Sequence, residues 1–110
     1  MAQVSVKFRP CFKTPMLDGT KTMTSRTRAL GKVGDQFEAF GATFQFTHIM
    51  RMELRFVLSD CFQQEGCKSV QDLMNIWKDI HPTVGIVPHQ IVYAHIFKKV
   101  SDTTSDPQRP

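Results

Sequence analysis

The stretch GTKTMTSR, Gly19–Arg26, sets two cations among threonines and a serine where a buried strand would carry valine or isoleucine. Threonine favours extended backbone, and Lys and Arg keep an exposed edge from pairing with other chains, so the composition fits an edge strand. Strand alternation sends Lys21, Met23 and Ser25 to one face and Thr22, Thr24 and Arg26 to the other. Lys21 and Thr24 can therefore meet only if the chain twists or bulges, or if one of them lies in the preceding loop.

Working outward, Val4, Val6 and Phe8 alternate with Gln3, Ser5 and Lys7, a strand period that Pro10 ends. FKTPMLDG, residues 12–19, reads as a helical turn with Thr14 as cap, Pro15 at its first position and Gly19 at its stop. Gly34-Asp35 is a turn signal before an extended run at 36–40, and Gly41-Ala42 makes a hairpin connection. From Thr43 to Leu54 the alternation is long, with Phe44, Phe46, His48, Met50 and Met52 sharing one face. That pattern predicts a core histidine at His48 and core methionines at Met50 and Met52.

RFVLSDCFQQEG changes period, and Phe56, Val57, Cys61 and Phe62 fit helical turns closed by Gly66. SVQDLMNIWKDIHP predicts the clearest helix. Ser69 caps it, Asp72 follows three residues on, and Val70, Leu73, Met74, Trp77 and Ile80 form its buried stripe. QIVYAHIFKKV is apolar on both faces, as a central strand would be. About five mostly antiparallel strands with two or three helices make an α+β domain whose sheet can curl into a small β-barrel. The expected boundaries are residues 1–99 for one domain and 100–110 for a flexible polar tail.

The 110 residues suffice for a single core. The first third is basic: residues 1–34 hold seven Lys or Arg against Asp18 alone. Such a surface suits an anionic partner, and Arg26, Arg28 and Lys32 form a cluster that could contact RNA phosphates. No apolar run approaches the roughly 20 residues that span a bilayer, and the N-terminus alternates instead of forming a signal block, so a cytoplasmic protein without membrane contact is expected. The odd cysteine count (Cys11, Cys61, Cys67) predicts reduced thiols. His48, His81, His89 and His95 show no ligand spacing, so no metal is expected.

GTKTMTSR resembles the GxKxxTxR signature of the ASCH domain family, whose members have a small β-barrel related to PUA domains. GKVGDQFEAFG is similar to the loop and strand that follow the signature, DCFQQEGCKSVQDLMNIW to the Glu-Gly entry into the long helix, and IVYAHIF to the closing strand. The likeness runs through residues 12–98. It implies an amidohydrolase that removes the acyl group from N(4)-acylated cytosines such as N(4)-acetylcytidine, without cofactor or metal. The alternative it implies is an RNA-binding ASCH domain, with ribonuclease activity in some members.

Carried over by position, the resemblance assigns catalysis to Lys21, Thr24 and Glu65 and puts Arg26 at the signature arginine. Two chemistries are open to that set. Thr24 attacks the acyl carbonyl with Lys21 as base, its pKa lowered by burial and by Arg26, while Glu65 relays protons to the leaving amine. In the other, Lys21 stays charged and Glu65 activates a water. Arg26, Tyr93 and His95 are the expected substrate contacts, the last two through stacking or hydrogen bonds to a base.

Overall fold

The computed structural model describes residues 2–102. A 3-10 turn, Pro10–Phe12, runs directly into helix α1, Lys13–Asp18. The remaining elements are β1 (Met23–Arg26), β2 (Gln36–Ala39), β3 (Ala42–Glu53), α2 (Leu54–Asp60), α3 (Val70–Ile80) and β4 (Ile91–Asp102). The four strands form one antiparallel sheet in the order β1-β4-β3-β2, curled into a half-barrel. The fold is α+β, and β4, apolar on both faces in sequence, is a central strand.

Several local expectations are corrected. The 3–8 segment is extended but adds only an isolated parallel bridge, Gln3 to Gln36, before it leaves the sheet. Thr14 does not cap α1, because the helix continues from the 3-10 turn, whereas Gly19 ends it at φ 87° as expected. The hairpin between β2 and β3 pairs Ala39 with Ala42, so its two turn residues are Phe40 and Gly41. Both take positive φ, 54° and 80°, the geometry a two-residue hairpin demands.

The long alternation of β3 breaks at a register shift between Phe46 and His48. One extra residue swaps the two faces of a strand beyond that point. Ile49 consequently packs on the core, His48 and Met50 are exposed, and Met52 is partly buried. The core lies under the first half of β3. The Phe37, Phe44, Phe46 and Phe97 rings pack there, with Phe37 stacked on Phe44 at 5.3 Å and edge-on to Phe97 at 5.4 Å.

Helix α2 buries Leu54, Val57 and Leu58 and leaves Phe56 outside, so its buried face begins two residues earlier than the sequence implied. In α3 Ser69 caps as expected, its hydroxyl accepting from Asp72 N–H at 3.1 Å. Leu73 and Trp77 are buried, whereas Ile80 is exposed. Strand β4 runs to Asp102, three residues past the expected domain end, and residues 103–110 of the expected tail lie outside the described residues. Among the described residues no helix is long and apolar enough to cross a membrane.

Candidate active site

The passage from α1 into β1 decides where Lys21 goes. Asp18 Oδ1 accepts from the Thr20 N–H at 2.9 Å and from its hydroxyl at 2.6 Å, fixing a turn after Gly19. β1 then begins only at Met23. Lys21 therefore sits in the loop, free of strand alternation, and shares a cavity with Thr24.

β1 is an edge of the sheet, and the turn after α2 covers that edge. The N–H groups of Thr22 and Met23 both donate to Gln64 O, at 2.9 and 3.0 Å. This docks the next residue, Glu65, against Lys21. Gly66 closes the turn at φ 89°, and a Cβ there would stand 2.9 Å from Lys21 Cβ, so glycine is required both by the backbone and by the lysine beside it.

Lys21 Nζ donates to Met23 O at 2.8 Å, to Glu65 O at 2.8 Å and to Glu65 Oε1 at 3.3 Å. The nitrogen also lies 4.2 Å from the centre of the Phe12 ring. The two side chains of the ion pair are only 1% and 6% exposed. Burial pulls the Lys21 pKa below the ordinary lysine value, and the Glu65 carboxylate opposes that shift. The three acceptors match the three N–H bonds of an ammonium.

The second carboxylate oxygen, Glu65 Oε2, accepts from the Ser25 hydroxyl at 2.6 Å. Thr24 is buried, and its Oγ1 accepts from Arg26 Nε at 3.1 Å. Arg26 is itself braced, with Nη2 donating to Lys7 O at 2.7 Å and the guanidinium 5.2 Å from the centre of the Phe8 ring. Lys21, Thr24, Ser25, Arg26 and Glu65 all line one cavity of about 500 Å³. Among the described residues that line it, Glu65 is the only carboxylate, while Lys7, Arg9 and Arg28 add cations.

The opposite wall comes from α3. Trp77 and His81, one helical turn apart, stack at 4.4 Å and present an aromatic surface to the cavity. Trp77, expected as core alone, is both core and cavity wall. Of the expected substrate contacts, Arg26 lines the cavity and Tyr93 and His95 do not. His95 is fully buried, taking the Leu30 N–H on Nε2 at 3.0 Å, with Nδ1 3.2 Å from Thr24 O. It therefore fastens β1 and the following loop to β4. Burial lowers its pKa, partly offset by hydrogen bonds to Thr24 and Tyr93. Of the expected basic cluster, Arg26 and Arg28 reach the cavity and Lys32 does not.

No family model matches the sequence, and no curated protein matches it either. Solved structures do. A hypothetical protein, PH0355, superposes with a TM-score of 0.69 at 14% identity, over 91% of this chain and 100% of that one. A protein from Enterococcus faecalis gives 0.64 at 17% identity, over 94% and 77%. An ASCH domain from Lactobacillus crispatus gives 0.63 at 11% identity, over 91% and 80%.

The chain has the fold of an ASCH domain. On this ASCH fold the octapeptide supplies four cavity residues from one loop and edge strand, and Glu65 reaches them from the turn between α2 and α3. Ser25 is the residue that the sequence did not single out. Alternation set it on the face opposite Thr24, and nothing in a motif marks it. Among the described residues no group of three or more His, Cys, Asp or Glu side chains is gathered to hold a metal ion.

Proposed function

We propose that this ASCH-fold chain is an amidohydrolase that removes the acyl group from the exocyclic amine of N(4)-acylated cytosines, with N(4)-acetylcytidine as the representative substrate. The observation that carries this reading is the Lys21–Glu65 pair, 3.3 Å apart and almost wholly buried at a cavity that Thr24, Ser25 and Thr27 also line. Burying an ion pair costs several kcal/mol per ion, by order of magnitude, and a hydrophobic pair of equal volume would serve stability as well or better. Such a pair at a cavity floor has the properties of a proton carrier and its holder.

The geometry favours a charged Lys21 over a lysine base, since a neutral amine would leave one of the three acceptors unpaired. Lys21 then fixes Glu65 by Oε1, and Oε2 takes the proton from the attacking group and returns it to the leaving cytosine amine. Thr24 contributes from beside them. Its Oγ1 receives the Arg26 N–H, so its own O–H is polarised to donate to the acyl oxygen as negative charge builds there. The Trp77–His81 wall suits a flat pyrimidine.

A second reading is RNA binding, favoured by Lys7, Arg9 and Arg28 along the cavity. Phosphate contacts weaken steeply with salt, whereas turnover of a neutral nucleoside does not. The test of the first reading is release of cytidine from N(4)-acetylcytidine, followed by ultraviolet absorbance across a salt series. Salt-insensitive release supports it. No release, together with salt-sensitive binding of single-stranded RNA, replaces it with the second.

A further inference from the structure

Glu65 lines the cavity, and each of its two carboxylate oxygens has a side-chain partner. Oε1 is held by Lys21 and Oε2 by the hydroxyl of Ser25 at 2.6 Å. A hydroxyl donating to a carboxylate at that distance, in a half-buried setting, is a strong charge-assisted hydrogen bond. Thr24, beside Ser25 in the same cavity, is placed differently: its oxygen accepts from Arg26. The two hydroxyls are therefore differently prepared. Ser25 is positioned to lose a proton and Thr24 to stabilise an oxyanion.

We propose that Ser25 is the nucleophile of this site and that hydrolysis passes through an acyl-Ser25 ester. The proposal rests on the amidohydrolase reading above and adds to it a covalent route in place of an activated water. Ser25 Oγ forms a bond to the acyl carbon as its proton moves to Glu65 Oε2. The C–N bond then breaks, and Glu65 returns that proton to the departing cytosine nitrogen, which leaves as the free amine. Water next attacks the ester, Glu65 takes its proton, and the carbon–Oγ bond breaks with that proton passing to Ser25. Carboxylic acid is released, and the enzyme is restored with no other reactant consumed.

The residue's origin in the fold is specific. β1 is an edge strand only four residues long, so the turn carrying Glu65 reaches around its open side to a residue that alternation points away from Thr24. Ser25, Thr24 and Arg26 line the same cavity of about 500 Å³, which gives an acyl group a place to sit. An alanine at position 25 would remove the hydroxyl that Glu65 holds.

The experiment uses the full chain with two acyl donors, N(4)-acetylcytidine and 4-nitrophenyl acetate, on wild type, Ser25→Ala and Ser25→Cys. Each protein is acid-quenched during turnover and mapped by mass spectrometry, with folding checked by thermal unfolding. The expected result is an acetyl group on position 25 in wild type or in Ser25→Cys, whose thioester accumulates differently. Ser25→Ala is expected to stay folded and to lose turnover by about 100-fold or more. Acetylation of Ser25 by 4-nitrophenyl acetate without cleavage of N(4)-acetylcytidine would sustain the nucleophile and overturn the pyrimidine substrate. Cleavage of N(4)-acetylcytidine by Ser25→Ala within about threefold of wild type would overturn the nucleophile and leave the amidohydrolase reading intact. Absence of acetyl at position 25 from both donors in both proteins would also overturn it, even if Ser25→Ala is inactive.

Discussion

Lys21 and Glu65 form an ion pair from which water is almost wholly excluded, made by a loop and a turn that are 44 residues apart in sequence. A carboxylate held this way keeps a fixed direction, and an ammonium with three acceptors keeps its charge. The functional reading follows from those two properties. So does a cost, because each partner depends on the other for solvation.

Removing one partner leaves the other buried and uncompensated. Lys21→Met is expected to destabilise the fold by about 3–5 kcal/mol, a large part of the stability of a domain this size. Changing Glu65 to Leu in the same chain is expected to recover much of that loss, because no isolated charge then remains. Urea unfolding of the two single variants and the double variant measures the coupling. Additive losses would contradict it.

Gly66 offers a sharper separation of strain from contact. Gly66 and Gly19 both have positive φ, 89° and 87°, but a Cβ at Gly19 meets nothing within 4 Å while one at Gly66 meets Lys21 at 2.9 Å. Gly19→Ala is expected to cost about 1 kcal/mol from backbone strain alone. Gly66→Ala is expected to cost clearly more and to lower turnover, since it displaces Lys21. Equal losses in thermal unfolding, with unchanged kcat, would show that Lys21 is not confined by this turn.

The buried His95 makes stability depend on pH. Burial holds its folded pKa below 6.5, the value it takes when exposed. Between those two values the unfolded chain binds a proton that the folded chain does not, so stability rises with pH and falls as pH drops below about 6.5. The Leu30 N–H occupies Nε2, so protonation there would also break a hydrogen bond. Melting temperatures from pH 8 down to pH 5 are expected to fall more steeply for wild type than for His95→Gln. Parallel curves would contradict this.

Lys21 works in the same direction at the other end of the scale. Its folded pKa lies below the ordinary value of 10.5, so in that window the unfolded chain again carries the extra proton, and this group's contribution raises stability as pH increases. The difference between wild type and Lys21→Met, measured by urea unfolding at several alkaline pH values, is expected to widen with pH. A constant difference would mean that Lys21 titrates normally.

Much of the architecture was legible because hydrophobic period and capping chemistry act locally. Ser69 with Asp72, Gly19 after α1 and the doubly apolar β4 each announce a structure that a few neighbouring residues enforce. The errors arose where one residue shifts the phase. Spacing alone puts His48 and Met50 in the core, because nothing in it marks the register shift after Phe46. The N-terminal alternation gave extended chain correctly but not its partner, since a single bridge to Gln36 is a tertiary event.

The site was legible in part. Lys21, Thr24, Arg26 and Glu65 do converge on one cavity, and the alternation that set Lys21 apart from Thr24 fails because β1 starts two residues after the lysine. Ser25 escaped notice because its partner, Glu65, is 40 residues away and approaches from the strand's open edge. The sequence offers His95 as a base contact, yet both its ring nitrogens are engaged with backbone groups. An alternating strand cannot indicate which buried polar residue faces a cavity and which faces a neighbouring loop.

The most direct test of the central claim is the initial rate of N(4)-acetylcytidine hydrolysis by wild type and by Glu65→Gln, which keeps the size of the side chain but cannot carry the proton. The expected result is cytidine release by wild type and a loss of about 100-fold or more in the variant, with the variant still folded. Equal rates in the two proteins, or no release by wild type, would contradict the account.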